Sequence, residues 1–167
     1  MTAVDPGRTA TTNTSEAFRL AMRNVASPVS VVTTMVDGQP FGATVSALMS
    51  LSMEPPMLVI SLDNRSRLLS MLRQGTIVGV DILADEQKDL ANHFARRSAD
   101  KFSLIDWEMT DGAPALPGSH SRITCSVNQF VPAGDHTLIF GAIETAYGYD
   151  KQPLVYWQRD YGTVTRL

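Results

Sequence analysis

The sequence predicts a mainly β protein, an antiparallel β-barrel with a few helices packed outside it. Three observations carry that reading. About seven short runs rich in Val, Ile, Leu and Thr stand out as strands. They come as hairpins, with Asp37-Gly38 and Pro132-Ala133-Gly134-Asp135 as turns, and do not alternate with helices as a doubly wound sheet requires. The chain has 167 residues, 44% of them hydrophobic, which suits one domain with its own core and no need of disulfides.

Residues 1–13 are polar and Thr-rich, with no apolar signal region, and read as a flexible arm ahead of a single domain over 14–167. Ser15 is placed to cap a helix over 16–25, in which Phe18, Ala21, Met22 and Val25 share one apolar stripe. Pro28 ends it, and the β-branched run 29–36 is a strand. The Asp37-Gly38 turn sends the next strand back antiparallel over 41–52. A third strand, 57–62, follows the Pro55-Pro56 break. A short helix over 65–74 closes at Gly75, and a fourth strand covers 76–83. Asp85 then caps a helix to about 97 with Leu90, Ala91 and Phe94 facing inward. Residues 98–120 are punctuated by Asp111-Gly112, Pro114 and Pro117-Gly118 and read as irregular. A second hairpin, 123–131 and 136–147, and a short strand, 154–157, complete the chain.

Composition removes several classes of function. A formal net charge of −3 without a basic stripe argues against nucleic-acid binding. No apolar run is long enough to span a bilayer as a helix. The lone Cys125, inside the apolar run Ile123-Thr124-Cys125-Ser126-Val127, reads as a small buried hydrophobe, and a single cysteine suits a reducing cytoplasm. His93, His120 and His136 have no short ligand spacing, so no metal site is predicted. No G-x-S-x-G elbow is present, and no residue is assigned as a catalytic nucleophile.

Two segments carry chemistry. On a strand over 41–52, Ala43, Val45, Ala47, Met49 and Leu51 share an apolar face, and Thr44, Ser46, Leu48, Ser50 and Ser52 share the other. Short hydroxyls leave space above a strand and offer donors and acceptors, which suits a flat polar ligand with a phosphate tail. The same row also fits a plain solvent-facing strand. Gly134-Asp135-His136 sets His136 at the mouth of a strand, where loops carry function, although a simple turn accounts for the same residues.

Together these features resemble the flavin reductase-like family, with its split-barrel FMN-binding fold of antiparallel Greek-key type. Short-chain reductase components of two-component flavin monooxygenases belong to it. The resemblance rests on Phe18-Arg19-x-x-Met22 through Val29-x-Val31-Val32-Thr33-Thr34; on Gly42 to Ser52 with Pro55-Pro56; on Ser66 to Leu72; on Val80-Asp81-Ile82-Leu83 with Gln87, Leu90, Ala91, Phe94-Ala95 and Lys101-Phe102; and on Gly134-Asp135-His136 through Gly141. It spans residues 18–161.

The resemblance implies an NAD(P)H:flavin oxidoreductase, passing a hydride from nicotinamide C4 to N5 of FMN or FAD and supplying reduced flavin to a partner monooxygenase. The other reading is a flavin-binding carrier or sensor with no nicotinamide activity. By position, Thr44, Val45, Ser46, Ala47, Ser50 and Ser52 would line the flavin. Ser66, Arg67 and Lys101 would meet its phosphate, Phe94 would pack on it, and Asp81 stands where the family usually has Asn. An aspartate there would repel a bound anion unless it points away or pairs. His136, with Arg159 and Tyr161, would receive the nicotinamide cofactor, NADH in preference to NADPH because no basic cluster for a 2′-phosphate stands out. The family also implies a homodimer.

Overall fold

The computed structural model describes residues 13–98 and 100–165. The predicted arm lies outside them except for Asn13, whose carboxamide oxygen accepts from the Ser15 and Glu16 amides and caps α1 (Thr14–Met22). Asn13 therefore does the capping expected of Ser15. β1 (Ser27–Pro28) leads into β2 (Ser30–Val36), which returns as β3 (Gln39–Val45). β4 (Leu48–Met53), β5 (Pro56–Asp63), α2 (Arg67–Met71) and β6 (Ile77–Ile82) follow. A 3₁₀ turn, Asp85–Gln87, enters α3 (Lys88–Ala95). Asp85 does not cap it; the Gln87 side chain accepts from the Ala84 amide instead and donates to Pro117 O. The segment predicted irregular contains a small hairpin, β7 (Glu108–Thr110) and β8 (Ala113–Ala115). The long hairpin β9 (Ser121–Ala133) and β10 (His136–Gly148) precedes β11 (Val155–Trp157) and β12 (Asp160–Gly162).

Seven strands form one antiparallel sheet in the order β3-β2-β6-β9-β10-β5-β4. Its edge strands, β3 and β4, are consecutive in the chain, with only Ser46 and Ala47 between them. Two residues reach on the order of 10 Å at full stretch, so the two edges must come together and the sheet must roll into a barrel. Ser61 N donates to Ala47 O at 2.9 Å, which extends the β4–β5 ladder one residue back toward β3. The single strand predicted over 41–52 is therefore two strands, paired to opposite neighbours: Thr44 lies opposite Val31 on β2, and Ser50 opposite Leu58 on β5. The hydroxyl row does not share one face.

Val32, Val45, Ile60, Val78, Val80, Val127 and Ile139 fill the barrel, with Cys125 among them as a buried hydrophobe. A second cluster outside the wall packs Val29, Val31, Leu83, Ala91, Phe94, Phe102, Leu116 and Leu154. β2 is thus buried on both faces, and its hydroxyls find carbonyls: Ser30 to Val45, Thr33 to Pro114 and Thr34 to Ile77. Among the described residues, no helix is long and apolar enough to cross a membrane.

The outer layer is fastened by one buried ion pair. Asp81 and Arg122 face each other on β6 and β9. Arg122 Nη1 donates to both Asp81 carboxylate oxygens, at 3.0 and 2.9 Å. Nη1 also donates to Pro114 O and Nη2 to the Thr110 and Ala113 carbonyls, Nε is buried without a partner, and Asp81 also accepts from Leu116 N. The guanidinium passes so close to β6 that a Cβ at Gly79 would stand 3.0 Å from Nη2. Burial pushes the Asp81 carboxyl up to about 6, against the downward pull of Arg122. Replacing Arg122 by Ala strands that carboxylate. Urea denaturation should show a loss of about 3–5 kcal/mol. The loss should be larger at pH 8 than at pH 5, because a carboxyl whose folded pKa lies above its unfolded value loses stability as pH rises through it. An unchanged midpoint would show that the pair does not fasten the hairpin.

Candidate functional site

Three elements enclose a cleft of about 460 Å³. β3 supplies one wall, residues 40–44; the loop from Asp63 into α2 supplies another; the end of α3 and the turn after it supply the third. The approach of α3 to β3 depends on Gly42, where a Cβ would stand 2.8 Å from the Phe94 ring and 3.1 Å from Phe102. Phe94, Phe102 and Trp107 stack edge-to-face behind this wall, with centroids 5.1 and 5.7 Å apart. Thr44 Oγ1 donates to Ala91 O at 2.6 Å and ties the strand to the helix.

Charge distinguishes this cleft. Arg65, Arg67, Arg96, Arg97 and Lys101 all line it, against the single carboxylate of Asp63. Arg65 holds that carboxylate with Nε, Nη2 and its backbone amide, keeping Asp63 well below the usual carboxylate range. The Arg67 guanidinium lies 5.2 Å from the Phe41 ring centroid. Burial, and then Arg67, lower the Lys101 ammonium. Ser66 accepts from Leu69 N as the cap of α2, leaving its own proton for a ligand. The cleft can therefore hold an anionic ligand with an aromatic or apolar portion.

Thr44, Ser66, Arg67, Phe94 and Lys101 all line this cleft. The other residues predicted for the flavin do not line this cleft. Val45 is buried inside the barrel, and Ser46 and Ala47 are exposed at the seam. Ser50 and Ser52 line a separate apolar groove of about 510 Å³ beside β4, because the chain has crossed to the other edge of the sheet. The Asp81 side chain is spent on Arg122 inside the protein, the paired alternative for an aspartate at that position. His136 is half-buried at the β9–β10 turn, with Nδ1 2.8 Å from the Asp135 carboxylate, and lies opposite Asp63 of the cleft wall in the β5–β10 ladder. Tyr161 donates to Asn92 Oδ1 on α3, and Arg159, at φ 70°, sits in the tight turn of the β11–β12 hairpin. His136, Arg159 and Tyr161 are not among the residues that line the basic cleft.

Sequence reading missed Arg96, Arg97, Phe41 and Asp63. The basic residues are scattered along the chain, but Arg96, Arg97 and Lys101 fall within one turn after α3, and a tally of charge just past the Phe94 end of that helix finds them. Among the described residues, no group of three or more His, Cys, Asp or Glu side chains is placed to hold a metal ion.

A small antiparallel barrel with a cation-rimmed cleft under an outer helix is the frame of a flavin-handling oxidoreductase, and the comparisons agree. Residues 22–165 match the model of the flavin reductase like domain, and the chain belongs to that family. The reductase subunit HsaB of a flavin-dependent monooxygenase from Rhodococcus jostii is 32% identical, over 95% of this chain and 78% of its own length. An NADH:riboflavin 5′-phosphate oxidoreductase from Streptomyces pristinaespiralis is 33% identical, over 98% of this chain and 94% of its own. The solved flavin reductase PheA2 superposes with a TM-score of 0.83 at 30% identity, over 90% of this chain and 98% of that one. The fold is thus that of the flavin reductases, and the chain is an enzyme of their class.

Proposed function

We propose that this protein takes a hydride from NADH and delivers it to a flavin held in the cleft between β3, α2 and the end of α3, supplying reduced flavin to a separate flavin-dependent monooxygenase. The observation that carries this is the gathering of Arg67, Arg96 and Arg97 around one cleft walled by Phe94 and the open backbone of Gly42. These residues fit a flavin phosphate beside an aromatic wall.

The bound flavin and the nicotinamide supply the redox chemistry between them, C4 of one to N5 of the other. The protein binds and orients. Arg67 and its neighbours neutralise phosphate, Phe94 limits how deep the ligand sits, and Ser66 donates one hydrogen bond. His136 is the residue for the incoming nicotinamide cofactor. With Nδ1–H directed at Asp135, its Nε2 is left to meet a carboxamide or a phosphate.

Two further features belong to this reading. Met49, Leu51 and Met53 stand exposed on the edge strand β4, beside the apolar groove. A ridge and a groove on one face are what a two-fold dimer requires, and a homodimer covers both. A cytoplasmic setting accords with Cys125, whose thiol burial pushes up to about 12 and keeps unreactive.

Mixing the purified protein with NADH and FMN or FAD should produce flavin-dependent loss of nicotinamide absorbance. His136→Ala should raise KM for NADH about tenfold with flavin affinity unchanged. Flavin binding without NADH oxidation would make the chain a carrier or sensor. Met53→Glu should halve the mass found by analytical ultracentrifugation; an unchanged mass would remove the β4 face from the interface.

A further inference from the structure

Lys101 looks at first like one more phosphate ligand, but its ammonium is already engaged. Nζ donates to Phe94 O at 2.7 Å and to Gly42 O at 3.1 Å. Both acceptors are structural orphans. Phe94 lies in the last turn of α3, where carbonyls have no partner within the helix and a cation is favoured. Gly42 lies on β3, an edge strand of the main sheet, whose outward carbonyls have no partner strand. The backbone of Lys101 is held in turn, since its carbonyl lies 2.8 Å from His93 Nε2. One side chain thus bridges the strand and the helix that wall the cleft, at the two residues whose contact sets their separation.

Resting on the reading that flavin occupies this cleft, we infer that Lys101 is a positioning residue: it holds Phe94 against Gly42, and so sets the width of the slot for the flavin ring, rather than serving as the phosphate's counter-charge. Two of its three N–H donors are committed to the protein. The two roles separate on flavins that differ only in phosphate. A counter-charge acts on FMN and leaves riboflavin untouched. A residue that sets the slot acts on both alike.

The experiment measures binding of FMN and riboflavin by flavin fluorescence for Lys101→Met, Lys101→Arg, Gly42→Ala and Arg67→Gln, with urea midpoints to confirm folding. Lys101→Met should weaken both flavins by the same factor, about tenfold, as expected from a lost charge-assisted hydrogen bond. Lys101→Arg, which keeps charge and donors, should recover most of that loss. Gly42→Ala, which displaces Phe94 with no change of charge, should likewise weaken both. Arg67→Gln should weaken FMN alone. If Lys101→Met instead weakens FMN and spares riboflavin, as Arg67→Gln does, Lys101 is a phosphate ligand and the inference is overturned. If none of the four variants changes either affinity, the flavin lies elsewhere, and the assignment of the cleft falls together with the role of Lys101.

Discussion

The Phe94 ring occupies the space that a side chain at position 42 would need, and this contact sets the geometry of the cleft. α3 can lie against β3 only where the strand presents bare backbone, and Gly42 supplies it. Thr44 and Lys101 then tie strand to helix on either side of the contact through the Ala91, Gly42 and Phe94 carbonyls. A polar group that bonds an otherwise orphaned carbonyl is stabilising mainly because leaving that carbonyl dry is costly. The cleft is therefore a consequence of packing, with its mouth where the end of the helix and the following turn bring their basic side chains together.

Behind that contact stands the barrel. Its closure is enforced by chain connectivity, because Ser46 and Ala47 must carry the backbone from one edge of the sheet to the other. The same step separates Thr44 from Ser50 and gives the molecule two dissimilar concavities, one basic and one apolar. The first suits an anionic ligand, and the second suits another protein surface. The outer layer depends on Arg122 as the cleft depends on Gly42: it binds the β7–β8 hairpin to the wall, and that hairpin adjoins the cluster containing Phe94 and Phe102.

Much of this was legible in the residues. β-branched runs and turn dipeptides are local signals, so the barrel class, the two long hairpins, and the inward faces of Ala91 and Phe94 could be read from sequence. Family resemblance placed Thr44, Ser66, Arg67, Phe94 and Lys101, which the fold brings into one cleft. What could not be read was set by tertiary pairing. Period-two alternation over 41–52 is interrupted only at Leu48, a single apolar residue in the hydroxyl row, which is too weak a local signal to mark Ser46 and Ala47 as the point where the strand changes partner. The pairing of Asp81 with Arg122 spans forty-one positions and depends on strand register. The β7–β8 hairpin is short, and its carbonyls are satisfied by a distant arginine, so its own propensities are weak. Tyr161 and Arg159 were joined to His136 by the family resemblance, and no local signal in the C-terminal segment fixes where it packs.

The central claim is that the basic cleft beside Phe94 is where the flavin sits, and a crystal of the protein soaked with FMN tests it most directly. The account predicts difference density for the phosphate among Arg67, Arg96 and Arg97, with the ring system running along β3 beside Phe94. Density for the ring in the apolar groove beside Ser50 and Ser52, with the basic cleft holding none, would contradict it.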